Sequence, residues 1–105
     1  SWGGSKMAKI SELKPGVGNV TVEGEVTAIE EPREVVTRFG KRTRVASATL
    51  RDDSGEITLS LWGDEIERIA IGDWVKIENG WVSEFKGALQ LSAGKYGKMT
   101  VKGKG

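Results

Sequence analysis

The chain has 105 residues, with 16 Lys and Arg against 15 Asp and Glu, which is one domain's worth of near-neutral polypeptide. It holds neither cysteine nor histidine, which excludes disulfides and thiolate metal sites and removes the commonest general base and metal ligand. No apolar run approaches the ~20 residues of a membrane span and no secretory signal is visible, so the reading is a soluble, cytoplasmic domain with no membrane partner.

Residues 1–6, Ser-Trp-Gly-Gly-Ser-Lys ahead of Met7, read as an expression scar, and Trp2 is set aside with them. Residues 8–18 form a lead-in in which Ile10 and Leu13 dock on a core and Lys14-Pro15-Gly16 marks a turn. Val20, Val22, Gly24 and Val26 alternate with Thr21, Glu23, Glu25 and Thr27, the period of a half-buried strand. Gly24 inside that run predicts a bend or bulge. Residues 33–42 follow as a loop or hairpin tip with Phe39-Gly40-Lys41 at its apex.

Residues 45–50 make a second strand, Asp52-Asp53-Ser54-Gly55 a tight turn, and Ile57, Leu59 and Leu61 the core side of a third. By parity Trp62 then lies on the face away from the core. Residues 64–71 form the single helix, with Asp64 capping it and Ile66, Ile69 and Ala70 as its apolar stripe. Val75 and Ile77 open a fourth strand that runs on to Phe85, and Trp74, sharing parity with Lys76, reads as exposed. Strict alternation would turn Trp81 and Phe85 into the core; a bulge near Asn79-Gly80 would turn them out. Lys86-Gly87 is a hairpin turn into a fifth strand at residues 88–92, and residues 98–105 read as a flexible basic tail behind a domain spanning 7–97.

Three antiparallel strands, a short helix and two more strands describe an all-β, five-stranded OB-fold barrel with the helix between its third and fourth strands. Charge agrees with that fold's use of its loops. Arg33, Arg38, Lys41, Arg42 and Arg44 crowd the segment between the first two strands, with Glu34 alone against them, and Lys86 marks the last hairpin. Each alone reads as a solvated surface charge; together they are candidate phosphate contacts. Aromatic faces at strand ends among Gly, Ser and Lys are suited to stack on unpaired bases, because every base offers a π-face.

Leu59-Ser60-Leu61-Trp62-Gly63, the run from Ile71 through Trp81, then Phe85-Lys86-Gly87 and Leu89-Gln90-Leu91-Ser92-Ala93-Gly94 resemble the archaeal single-stranded DNA-binding proteins of the single-OB-fold type and related replication protein A domains. The resemblance implies that Trp62, Trp81 and Phe85 stack on bases and that Val35 packs on one. It also implies a role protecting exposed strands in replication, recombination and repair, with single-stranded DNA as partner. Two departures stand out. The long acidic, Gly-rich tail common in that family does not appear by Gly105, so the resemblance does not carry over partner recruitment through it. Trp74 stands where a smaller aliphatic is usual.

Nothing predicts an enzyme, a cofactor or a metal site: Asp52 and Asp53 are explained by their turn, and no glycine-rich piece has the spacing of a phosphate loop. The remaining alternatives are an RNA-binding OB module and a protein-docking OB domain of a replication complex. Replication or repair proteins are the further partners, and the chain reads as a monomer.

Overall fold

A computed structural model describes residues 7–104; the segment read as an expression scar lies outside the described residues. Among these residues seven strands form a single sheet, with β1 at Val20–Ile29, β2 at Arg33–Val36, β3 at Arg42–Asp52, β4 at Gly55–Trp62, β5 at Asp73–Phe85, β6 at Ala88–Ser92 and β7 at Lys98–Lys104. A 3-10 turn, Ile10–Glu12, precedes β1, and a one-turn helix α1, Glu65–Arg68, joins β4 to β5. The all-β class with one short helix is as expected, but the strand count is seven rather than five. β1 pairs with β3, β3 with β4, β4 with β6, β6 with β5, and β5 again with β1. The β4–β6 pairing is parallel and the others are antiparallel.

The two unexpected strands flank this circuit. β2 pairs with β3, so the segment 33–42, expected as a loop or hairpin tip, is a hairpin ribbon. β7 pairs with β5, so residues 98–104 are a strand and not a flexible tail. Sequence reading missed β7 because Lys98, Thr100 and Lys102 fill its solvent side and leave few apolar residues to alternate with them. Its inward positions are Met99, which is buried, and Val101, packed against the core. The ordering contacts are non-local. Arg68 donates to the Met99 carbonyl at 2.6 Å, and the Lys104 ammonium donates to the Ile71 carbonyl at 2.7 Å.

The core is the inward alternation of the strands: Val22, Val26, Leu50, Leu59, Leu61, Val75, Ile77, Val82 and Leu91 are fully buried. Ile10 and Leu13 close one end as expected. The Asp52 carboxylate accepts from the N–H groups of Ser54 and Gly55 and, across the fold, from that of Ile10 at 2.9 Å. Burial works to raise its pKa, yet these donors outweigh burial and hold the carboxyl below its ordinary value.

Two local expectations are corrected. The helix is four residues long, shorter than the predicted 64–71. Asp64 makes no side-chain cap, Ile69 is already extended, and Ala70 is exposed rather than part of an apolar stripe. Gly24 is not a bulge; the register shift on β1 lies between Val26 and Ala28. A Cβ at Gly24 would sit 2.6 Å from the Arg51 carbonyl oxygen, so the glycine serves a close backbone approach.

Candidate nucleic-acid interface

Strand parity builds the site. On β4, Ile57, Leu59 and Leu61 point inward, which turns Trp62 outward at 43% exposure. Its backbone N–H donates to the Glu65 carboxylate at 2.9 Å, tying the strand end to α1. On β5 strict alternation would keep Trp81 inside, and a bulge prevents it. Val20 pairs with Gly80 while Val22 pairs with Ile77, so β5 carries one extra residue there. Asn79 adopts φ 52° to make the step. Burial changes phase across it: Val75 and Ile77 are buried before the bulge and Val82 after it. Trp81 and Phe85 therefore face out, at 49% and 56% exposure. Gly80 is required at this point, since a Cβ would lie 2.9 Å from Ile77 Cγ2 and 3.0 Å from the Ser92 carbonyl oxygen.

Register places the three aromatics on one outer face. Trp81 is opposite Ser92, Ser92 is level with Ser60, and Ser60 is opposite Ser47. Trp62 lies two residues beyond Ser60, about 12 Å from Trp81 at ordinary strand spacings. Phe85 lies on the other side, four residues along β5 and about 13 Å away. Small hydroxyl residues floor the space between. Gly94 borders Trp81, where a Cβ would crowd its Cδ1 at 3.3 Å. These gaps are several times the ~3.4 Å rise of stacked bases, so a strand crossing all three rings is drawn out of helical stacking.

The basic residues do not form one patch. Val35 is opposite Thr43 and Arg33 is opposite Val45, which in turn is opposite Trp62. Arg33 and the half-buried Val35 thus share the aromatic face. Arg42 and Arg44 lie on the reverse of the β2–β3 ribbon, paired with Glu34 at 3.0 Å and Glu67 at 3.3 Å. Arg38 and Lys41 belong to the ribbon's tip. The Thr37 hydroxyl accepts from the N–H groups of Phe39 and Lys41 there, and the Arg38 guanidinium lies 5.1 Å from the Phe39 ring. Lys86 stands over Phe85 at 5.3 Å, carried by a two-residue turn with φ 53° at Lys86 and 82° at Gly87. Among the described residues, Arg33 and Lys41 are in no ion pair.

Sequence reading gave no role to Phe39, which is 84% exposed at the tip; its signal was an aromatic inside a turn between Arg38 and Lys41. Trp74 is half-buried rather than exposed. Its indole N–H donates to the Glu23 carboxylate at 2.7 Å, and Lys102 meets the same carboxylate at 3.3 Å. The indole donor, aided by Lys102, lowers the Glu23 pKa. Trp74 lies on a different side of the sheet circuit, where β1, β5 and β7 meet. Among the described residues, no helix is long and apolar enough to cross a membrane.

This architecture has relatives. The single-stranded DNA binding protein Ssb of Saccharolobus solfataricus is 41% identical over 86 residues, which is 82% of this chain and 57% of Ssb. Replication factor A of Methanothermobacter thermautotrophicus is 39% identical over 92 residues, 82% of this chain and 12% of that protein. The chain thus spans little more than half of one relative and a small part of the other. The second OB-fold domain of replication protein A from Methanococcus maripaludis has the same fold, with a TM-score of 0.78 at 27% identity, covering 95% of this chain and 98% of that domain. A family model described as an OB-fold nucleic acid binding domain matches residues 20–98, and to that family, the OB-fold nucleic acid binding domains, this chain belongs.

Proposed function

We propose that this domain binds single-stranded DNA largely without sequence specificity and protects exposed strands during replication, recombination and repair. The observation that carries the reading is the set of Trp62, Trp81 and Phe85, each about half exposed on one outer sheet face. Support comes also from relatives named as a single-stranded DNA binding protein and a replication factor A.

The mechanism follows from the geometry. Positive charge on Arg33, Lys41 and Lys86 draws in the phosphate backbone and releases counterions. Bases then settle on the rings of Trp62, Trp81 and Phe85, each contact worth about 1–3 kcal/mol by truncation. Val35 adds apolar surface on the same face. Arg38, Arg42 and Arg44 contribute through the ribbon's general field, the last two already being shared with carboxylates. The domain works as a monomer, binds without a cofactor and performs no chemistry of its own.

Tryptophan fluorescence during titration with a thymidine oligomer, at low and moderate salt, tests this. Saturable quenching that weakens with salt and largely fails in Trp81→Ala is the expected outcome. No quenching at low salt, with the fold intact by circular dichroism, would overturn the reading and favour protein docking. A matched uridine oligomer in parallel measures any preference for DNA over RNA.

A further inference from the structure

The outer face carries a hollow of about 360 Å³ lined by Thr49, Glu56, Ile57, Thr58, Ala88 and Leu89. It lies beside Phe85, because Phe85 is opposite Ala88 across the β5–β6 hairpin. Its rim on β3 and β4 is the outward alternation: Thr49 is opposite Thr58 and Arg51 is opposite Glu56. Its lining is mixed, with Ile57, Ala88 and Leu89 apolar and Thr49, Thr58 and Glu56 polar.

Glu56 is out of keeping with a surface that attracts phosphate. Arg51, directly opposite, sends its guanidinium to Glu25 at 3.5 Å instead. Among the described residues, Glu56 makes no ion pair. A carboxylate repels phosphate, so a strand held at Phe85 turns its bases toward the hollow and its backbone away. An ionised carboxylate only accepts hydrogen bonds. It therefore favours a base edge that donates an exocyclic amine, such as the N4 of cytosine, over the O4 acceptor of thymine. Repulsion of the wrong base adds to this discrimination alongside attraction of the right one.

We infer that this hollow is a base-reading subsite, in which Glu56 prefers an amine-bearing base in the nucleotide next to the one on Phe85. The inference rests on the single-strand reading above and gives a site of general affinity one position of modest selectivity. Because Glu56 is exposed and makes a single contact, the effect is at the low end for base readout, about fivefold.

The test is fluorescence anisotropy with labelled thymidine and cytidine oligomers of equal length, for wild type, Glu56→Gln, Glu56→Ala and Arg33→Ala. The amide of Gln donates as well as accepts, and Ala does neither. In both Glu56 variants the ratio of the thymidine Kd to the cytidine Kd should fall about fivefold. Arg33→Ala should weaken both oligomers and leave the ratio alone. Comparing ratios cancels the general gain in affinity from removing a negative charge. An unchanged ratio in folded Glu56 variants that still bind DNA would overturn the base-reading role and leave the binding reading intact. Failure of wild type to bind either oligomer would overturn both.

Discussion

Replacing Trp81 and, separately, Trp74 by Ala asks whether the two sides of β5 do different jobs. Trp81 is 49% exposed and has Gly18 and Gly94 as near neighbours. An aromatic side chain covers on the order of 200 Å² when fully buried, so roughly 100 Å² of Trp81 is covered. At 25 cal/mol per Å² that is about 2.5 kcal/mol as an upper bound on the stability loss. Its affinity loss should be about 1–3 kcal/mol, or roughly five- to 150-fold in Kd. Trp74 is more covered than Trp81, being half-buried, and also donates to the Glu23 carboxylate. Losing a hydrogen bond to a charged group adds about 1.5–3 kcal/mol, so Trp74→Ala should cost about 4 kcal/mol of stability and leave affinity within about twofold. Urea denaturation followed by circular dichroism gives the first quantity. Anisotropy of a labelled thymidine oligomer gives the second without relying on the tryptophans. Equal affinity losses in the two variants would refute the assignment of the binding face, as would full affinity in Trp81→Ala.

Gly80→Ala should lower the unfolding free energy, read from urea denaturation, by about 1–3 kcal/mol, since its Cβ would meet Ile77 and the Ser92 backbone at 3.0 Å or less; a neutral result would mean the bulge relaxes freely. Lys86→Asn should stabilise the β5–β6 hairpin by about 1 kcal/mol, because Lys86 sits at φ 53° and Asn tolerates that region better. The same change should weaken binding and reduce its salt slope by about one, so thermal melts and a salt titration should move in opposite senses. The lowered Asp52 carboxyl stabilises the fold above its unfolded pKa of about 3.9. That contribution is lost as pH falls through the lower folded value. Denaturation midpoints taken from neutral to acid pH should therefore decline less steeply in Asp52→Asn than in wild type, and parallel profiles would contradict this account.

The parts of the site that were legible in the sequence are those set by local alternation. Trp62 follows Leu59 and Leu61 with no interruption, so its outward direction needed only period-two counting. The Asp52–Gly55 turn was visible because Asp52 can bond the backbone of its own turn, and the Lys86-Gly87 hairpin because Gly87 supplies a positive φ. Trp81 and Phe85 were ambiguous from the residues alone. One extra residue reverses every side chain beyond it, and Asn79-Gly80 permits that step without requiring it.

Composition and alternation by themselves determined an all-β chain with one short helix, a core of Val, Ile and Leu, and an outward Trp62. Tertiary structure decided what depends on partners distant in sequence. β7 exists because β5 offers a free edge to a lysine-rich segment whose inward residues are Met99 and Val101. Trp74 is drawn out of solvent by Glu23 on β1 and Lys102 on β7. The basic cluster of the first loop divides between two faces because β2 pairs with β3, which puts Arg33 on one face of the ribbon and Arg42 and Arg44 on the other. Local sequence sets which conformations a segment favours, whereas pairing across the sheet sets which neighbours its side chains meet.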